Sequence, residues 1–486
     1  MGRGFFVKII ASLGPSSTDE ELVLRMAERG ADAFRTNFAH GDPEVWLRRL
    51  KAVRIAEEKL CKPLAMIGDL KGPSARVGEL RTQLQLKAGG RVLIAQSSSA
   101  TGSLPVIPVP AANLFEVTEV GDEVLIDDGK VRLQVVDIRS DVLECVALTD
   151  SVVEEGKGVS IKGKELEAPL LNERDMLALK FAATEGFDFV GLSHVRDAGD
   201  VEEVKRILRS FGSDAWVISK IETLNALRNL DSIIDESDVV LVARGDLGVR
   251  LSLEEVPYYQ KLIVDKCLRA GKPVIVATQF LASMVDNESP TRAEVVDVAE
   301  AITEGVDAVM LTNETSVGKY PLQAVEWLGR LIAFAERKVL GEEINHIYAK
   351  ARSRNLCTDD RFARGVIELA ESMEAKLVLY SAKGRMAYKA SALRPSVPVC
   401  VGVPNQKLAR KLTILWGLHP LHVCAQNYEE GLKETFEGLV KKGCLVNGET
   451  VILAYGLREP EQRIIVKRAG SECLTIKSES TASENS

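Results

Sequence analysis

Apolar residues in this chain cluster in runs of strand length, and the segments between them carry helical spacing. Runs at 6–13, 33–38 and 64–70 read as strands, separated by a helix that runs to about Arg29 and a second over about 43–60. Thr18 is placed to cap the first helix and Gly30 to end it. Strand–helix–strand with short connections is the rhythm of a parallel α/β fold. From 77 to 167 the rhythm stops. Short Val/Ile/Leu runs at 91–95, 123–126, 131–135 and 142–148 are separated by Gly, Asp and Ser, and no helix of useful length fits. This predicts a small all-β insertion, a barrel or sandwich, with Asp127-Asp128-Gly129 as a hairpin turn.

The rhythm resumes at Asn172, a helix cap. Strands are predicted at 189–193, 216–221, 239–244, 274–279 and 308–312. Helices between them cover 200–210, 253–270 and 290–304, the last with Ser289 as cap and Pro290 at its first position. Three strands before the insertion and five after it make eight, and eight alternating units in one sheet predict a closed (β/α)8 TIM barrel. From about Gly341 the pattern restarts with a helix over 360–373 and strands at 377–381, 397–401, 419–424 and 450–454, an open-sheet α/β unit. The expected division is barrel at 1–76 and 168–340, β insertion at 77–167, and a C-terminal α/β domain at 341–477. The Ser/Glu-rich tail 478–486 is expected to be disordered.

Composition narrows the class. At 486 residues the chain is too long for one core. A net charge of −8 disfavours a general nucleic-acid binder without excluding a local phosphate pocket. The eight cysteines include no Cys-x-x-Cys pair and read as reduced core thiols. No apolar run approaches the ~20 residues of a membrane helix. Cytoplasmic location is the expectation.

The candidate chemistry lies at the strand ends. Trp216-Val-Ile-Ser-Lys-Ile-Glu222 ends in Lys220 and Glu222, and the run from Val239 to Gly248 ends in Arg244 and Asp246. In a parallel barrel the carboxyl ends of the strands face the active site. The other strands add Arg35 and Asn37, Asp69 and Lys71, Ser193, Thr278 and Gln279, and Thr312 and Glu314. A solvated strand end is the bland reading of any one charge, and two consecutive strands ending this way weigh against it. Glu222 and Asp246 can offer oxygen ligands to Mg²⁺, which keeps other positions for water and phosphate oxygens. The backbone N–H groups of 243–248 can hold a carboxylate or phosphate. Arg35 can grip a phosphoryl group with its fork. Lys220 puts a cation where negative charge develops, and Thr278 can relay a proton through water. His194 reads as a structural histidine, Lys157 as an exposed loop lysine, and His346, His419 and His422 lack metal-ligand partners at useful spacing.

These segments resemble the pyruvate kinase family over most of the chain. Lys8-Ile-Ile-Ala-Ser-Leu-Gly-Pro-Ser-Ser17, Arg35-Thr-Asn-Phe-Ala-His-Gly41 and Gly68-Asp-Leu-Lys-Gly-Pro-Ser-Ala-Arg76 are similar to its early motifs. Ile218-Ser-Lys-Ile-Glu222 resembles its signature. Val242-Ala-Arg-Gly-Asp-Leu-Gly248, Ala277-Thr-Gln279, Ser289-Pro-Thr-Arg-Ala-Glu-Val295 and Met310-Leu-Thr-Asn-Glu-Thr315 complete the match. The resemblance implies phosphoryl transfer from phosphoenolpyruvate to ADP, giving pyruvate and ATP at the end of glycolysis. It implies Lys220 as the catalytic cation, Arg35 on phosphate, and Glu222 and Asp246 on Mg²⁺ or Mn²⁺. It implies Gly245, Asp246 and Thr278 on the substrate carboxylate, with Thr278 near the protonation step. Asn37, His40, Arg76 and Lys157 match nucleotide contacts, and the insertion matches a lid that closes over the site. A homotetramer is also implied.

Departures from the family pattern matter. Its potassium site corresponds here to Asn37, Ala39, Asp69 and Leu70; Ala39 has no hydroxyl, and Ser74 replaces the Glu tied to potassium dependence. The case for a K⁺ requirement is weakened accordingly. Ser381-Ala-Lys-Gly-Arg385 has fewer hydroxyls than the family's sugar-phosphate loop, and the run from Gly456 lacks its Gly-Thr-Thr-Asn, which argues against a fructose bisphosphate effector. Two other readings stand beside this one. Another Mg²⁺-dependent barrel acting on phosphoenolpyruvate or pyruvate is disfavoured by the lid and the C-terminal domain. A pseudoenzyme is disfavoured by the presence of Lys220, Glu222 and Asp246.

Overall fold

The computed structural model describes residues 6–73, 75–80, 82–97, 104–127, 129–139, 141–166, 168–338, 340–353, 357–456 and 462–470. Eight strands close a barrel: β1 (Lys8–Leu13), β2 (Ala33–Asn37), β3 (Ala65–Asp69), β4 (Phe189–Leu192), β5 (Trp216–Ile221), β6 (Val239–Ala243), β7 (Val274–Ala277) and β8 (Ala308–Leu311). Each pairs in parallel with its chain neighbour, and β1 closes on β8 with Lys8 beside Ala308. The continuous Val/Ile runs follow from burial on both faces. Ile10, Ile67, Ile218, Leu241 and Ile275 fill the inside, while Ile9, Met66, Val217, Val240 and Val276 pack against the outer helices. The inner layers continue without a break into Leu377, Val401 and Leu415 of the C-terminal layer.

Helix starts differ locally from expectation. Asp19, not Thr18, caps Glu20–Glu28: its carboxylate accepts from Leu22 N at 3.1 Å, while the Thr18 hydroxyl donates back to Gly14 O. The helix expected from Pro290 begins at Arg292, because Thr291 and Glu294 form a reciprocal capping box there. Leu253–Glu255 is a 3-10 turn ahead of the helix Val256–Ala270. Asn172 caps Glu173–Glu185 as expected.

The insertion holds a seven-stranded sheet in which Gly158–Ile161, Glu123–Ile126, Val131–Arg139, Val142–Ala147 and Arg91–Ala95 lie side by side. It is not all-β, since Ala112–Val117 forms a short helix whose Leu114 and Phe115 fill the insertion's core. The hairpin turn forms around Asp127 (φ 52°) and Gly129 (φ 85°), with Lys130 N donating to Asp127 O; Asp128 lies outside the described residues. The insertion joins the barrel at Ala75–Arg76, which pairs antiparallel with Gly158–Ile161. Ser74, Glu167, the stretch 457–461 and the tail 478–486 also lie outside the described residues.

The C-terminal sheet has five strands, one more than expected. Leu418–His422, Val399–Val403, Lys376–Tyr380 and Thr450–Tyr455 are parallel, and Arg463–Arg468 joins antiparallel at the edge. That edge strand leaves Ile464, Ile465 and Val466 42–52% exposed, so it lacks the burial signature of its neighbours. The layer sits under the amino ends of the barrel strands, where Lys8 Nζ donates to Leu418 O at 2.8 Å. Among the described residues Cys145, Cys267 and Cys400 are the buried cysteines, Cys444 is half-buried and Cys61, Cys357 and Cys424 are exposed, so the reading of all eight as core thiols is corrected; Cys473 lies outside the described residues. Among the described residues no helix is long and apolar enough to cross a membrane.

Candidate active site

The carboxyl ends of β2 to β5 bring their charges into one hydrogen-bonded cluster. Arg35 donates from Nε to Asp69 Oδ2 at 3.0 Å, pairs with the same oxygen through Nη2, and donates from Nη1 to Ser12 Oγ at 3.2 Å. Lys220 Nζ donates to Ser193 Oγ at 2.8 Å and lies 3.1 Å from Glu222 Oε2 and 3.8 Å from Asp69 Oδ2. Asp69 can reach this far because its neighbour on β4 is glycine: a Cβ on Gly191 would stand 2.4 Å from Asp69 Oδ1. Burial works against the Lys220 charge, but Asp69, Glu222 and Asp246 outweigh it and hold the ammonium above the ordinary lysine value. Asp69 is likewise penalised by burial, yet Lys220 and Arg35 hold its carboxyl below the usual range.

Glu222 and Asp246 are different. Glu222 Oε1 accepts from His194 N at 2.7 Å, but its buried Oε2 has no hydrogen-bond partner. Lys220 is close enough to that oxygen for an ion pair without being aligned to donate to it. Withdrawal from water, then the charge of Glu222, raise the Asp246 carboxyl. Two carboxylates that repel each other, one with a bare oxygen, suit a hard divalent cation. Among the described residues no cluster of three or more His, Cys, Asp or Glu could hold a metal. Two protein carboxylates, with water and substrate completing the shell, is the pattern Mg²⁺ takes. His194 (φ 57°) places Nδ1 at 3.2 Å from Arg250 Nη2. An arginine offers no acceptor, so Nδ1 accepts and Nε2 carries the proton. Burial and then Arg250 push this imidazole down to about 3, so the ring is neutral.

Strand β7 ends at Ala277, so Thr278 and Gln279 belong to a loop and not to the expected strand. Thr278 has φ 73°, and its Oγ1 accepts from Gly245 N at 2.7 Å. Gly245 opens the short helix Arg244–Arg250 that also carries Asp246. On β2, Asn37 Oδ1 accepts from Ala39 N at 2.9 Å. His40 O accepts from Trp46 Nε1 at 2.8 Å, and burial followed by Arg76, Arg35, Arg49 and Arg174 keeps its ring below the usual histidine value. Arg76 Nη1 donates to Gly156 O at 2.7 Å. Lys157 is paired inside the insertion, 3.2 Å from Asp127 and 3.3 Å from Glu154. Leu70 O accepts from Ser193 Oγ at 2.9 Å.

The structure therefore gathers Arg35, Asp69, Lys220, Glu222 and Asp246, and sets Thr278 against the helix that carries Asp246. Sequence reasoning missed Ser12 and Arg250. Ser12 was within reach of the same rule that found the others, since it stands near the carboxyl end of β1. Arg250 had no such signal; it matters only because the short helix turns it toward His194 and Asp246 O.

Comparison with known proteins agrees with this architecture. Residues 6–325 match the family model described as pyruvate kinase, barrel domain, and 360–463 match pyruvate kinase, alpha/beta domain. The pyruvate kinase of Pyrobaculum aerophilum is 38% identical over 466 residues, covering 95% of this chain and 96% of the relative. That of Aeropyrum pernix is 37% identical, covering 92% and 95%. A crystal structure of the Pyrobaculum aerophilum enzyme superimposes with a TM-score of 0.82 at 36% identity over 95% of this chain and 99% of that one. A pyruvate kinase of Cryptosporidium parvum gives 0.86 at 31% identity over 95% and 96%. With both family models matched in order and relatives aligned over nearly their whole length, the chain belongs to the pyruvate kinase family.

Proposed function

We propose that the mouth of this barrel transfers the phosphoryl group of phosphoenolpyruvate to ADP with Mg²⁺ or Mn²⁺, and that its own residues divide the work as follows. The family is one of phosphotransferases that bind these two substrates and use a divalent metal. The observation that carries the finer reading is the Lys220 ammonium, held charged beside a glutamate oxygen left without a hydrogen bond. Arg35 grips the phosphoryl oxygens. Lys220 sits where negative charge grows as the P–O bond to the enolate oxygen breaks and that to ADP forms. Glu222 and Asp246 would hold the divalent ion, which when bound neutralises phosphoryl and enolate charge. The N–H groups of Gly245 and Asp246 and the Thr278 hydroxyl hold the substrate carboxylate. Thr278 stands near the carbon that takes up a proton to give pyruvate.

Asn37, His40 and Arg76 contact the nucleotide in this reading. The insertion closes as a lid that brings Lys157 to the nucleotide phosphates and excludes water, favouring ADP over hydrolysis. The residues matching a potassium site are apolar or engaged: Ala39 has no hydroxyl, Asn37 Oδ1 accepts from Ala39 N, Asp69 Oδ2 accepts from Arg35, and Leu70 O accepts from Ser193. These contacts support turnover without K⁺. The exposed edge strand Arg463–Arg468 supports assembly through the C-terminal sheets in a homotetramer, and the enzyme is proposed to act in the cytoplasm.

The test is lactate-dehydrogenase-coupled turnover of phosphoenolpyruvate and ADP with Mg²⁺, with and without K⁺, on wild type and Lys220→Met. The expected result is Mg²⁺-dependent pyruvate formation, unchanged by K⁺, falling by at least about 10²–10³-fold in the variant. A folded wild type that makes no pyruvate sinks the proposal.

A further inference from the structure

The loop after β7 holds three non-glycine residues in the left-handed region within four positions: Thr278 (φ 73°), Gln279 (φ 59°) and Leu281 (φ 53°). Such backbone is costly and persists only where its surroundings over-determine it. Arg244 is the fastener. Its buried guanidinium donates to Thr278 O twice, from Nε at 3.1 Å and from Nη2 at 2.7 Å. Nη1 pairs with Asp297 Oδ1 at 2.5 Å, and the plane lies 3.8 Å from the centre of the Phe280 ring. Asp297 belongs to the helix Arg292–Glu304. The same helix pins the far end of the loop, where Glu294 accepts from Ser283 N at 2.7 Å and from Ser283 Oγ at 2.6 Å. The Thr278 side chain is held from the other direction by Gly245 N, one residue on from Arg244.

We infer that Arg244 is a positioning residue that locks the strained Thr278 carbonyl to the outer helix, so that the Thr278 hydroxyl, whose oxygen accepts from Gly245 N, keeps one fixed place beside the helix that carries Asp246. The inference rests on the proposed function, in which the Thr278 hydroxyl meets the substrate carboxylate and lies near the protonated carbon. Without the fork, Thr278 is free to relax out of the left-handed region, and its hydroxyl moves. A misplacement of about 1 Å at a reacting centre costs roughly 10²-fold. Lysine cannot replace the fork, because it offers a point charge on a flexible stem and cannot span the carbonyl and Asp297 in one plane.

Arg244→Met, Arg244→Lys and Asp297→Asn would be compared with wild type in three measurements: thermal melting, coupled turnover with KM for each substrate, and exchange of pyruvate methyl protons with D₂O, followed by NMR with Mg²⁺ and ATP. The expected result is a fall of about 10²-fold in proton exchange and kcat for Arg244→Met, with KM for ADP unchanged. Arg244→Lys recovers a minor part, and Asp297→Asn falls in the same direction by less. A residue needed only for folding would lower the melting temperature and leave proton exchange per folded molecule at the wild-type rate; that outcome overturns the inference. If Arg244→Met fails to fold, Asp297→Asn decides alone, and wild-type exchange in it is equally fatal. Normal variants with an active wild type remove this inference and leave the proposed function standing. A wild type that makes no pyruvate removes both.

Discussion

The two ends of the barrel carry the same kinds of buried charge and treat them in opposite ways. At the floor, under the amino ends of the strands, Arg394 and Asp307 are almost inaccessible. Asp307 Oδ1 accepts from Arg394 at 3.0 Å and from Trp416 N at 2.9 Å, while Oδ2 pairs with Arg394 and accepts from Val274 N at 2.8 Å. The remaining guanidinium edge donates to Gly305 O. At the mouth, Glu222 keeps a bare oxygen, Asp246 faces its repulsion, and the Thr278 loop is strained. The floor supplies its charges with protein partners and so welds the C-terminal layer to the barrel. The mouth leaves some of them short, and in the proposed function substrate and metal supply the missing partners. Asp188 is the floor's exception: Oδ2 accepts from Met66 N and Arg54, but Oδ1 has no partner.

The largest effect is expected at the floor. Arg394→Met strands Asp307 as a buried, uncompensated charge, which should cost about 3–5 kcal/mol. A denaturant titration reads that loss, and turnover per folded molecule should stay at the wild-type level. Loss of activity in the folded fraction would mean that the floor does more than hold the layers together.

A smaller effect of opposite sign is expected at the mouth. Asp246→Asn removes one of two mutually repelling carboxylates, so the metal-free melting temperature should rise by roughly 1–3 °C. The stabilisation that Mg²⁺ gives wild type should vanish in the variant. A lower metal-free melting temperature would show that Asp246 is satisfied by the protein and that the contrast between the two ends is false.

An effect of another kind, a slope against pH, is expected at the floor. Glu336 accepts from Phe6 N and Val7 N at 2.7 and 2.8 Å, and burial pushes its carboxyl up to about 7. A folded value above the ordinary one means the contribution is full at pH values below about 4.5 and is lost as pH rises through about 7. Glu336→Gln should flatten that stretch of the stability–pH curve. An unchanged slope between these values would assign the pH dependence to other groups.

Much of this was readable in the chain. Val/Ile runs with helices between them point to parallel strands covered on both faces, and eight such units in one sheet point to a closed barrel. The same logic exposed Arg35, Asp69, Lys220, Glu222 and Asp246, since charges just beyond the carboxyl ends of barrel strands gather at the mouth, although Arg244 turns instead to Asp297 on an outer helix. What escaped had weaker local signals. Ala112–Val117 is too short to show helical periodicity. The edge strand Arg463–Arg468 is half exposed, and its three apolar residues stand together between charges without the alternation that marks a strand. Thr291 displaced Ser289 as a cap because Glu294 could answer it.

Local periodicity and the cost of burying unpaired polar groups were enough to fix the main elements, the eight strands that close the barrel and the charges at their ends. Only the tertiary structure decided which charges are satisfied. Arg394 finds Asp307 87 residues away, and Arg244 finds Asp297 53 residues away. A hydrogen bond between such partners exists only once the barrel has closed, so no short window of sequence contains it.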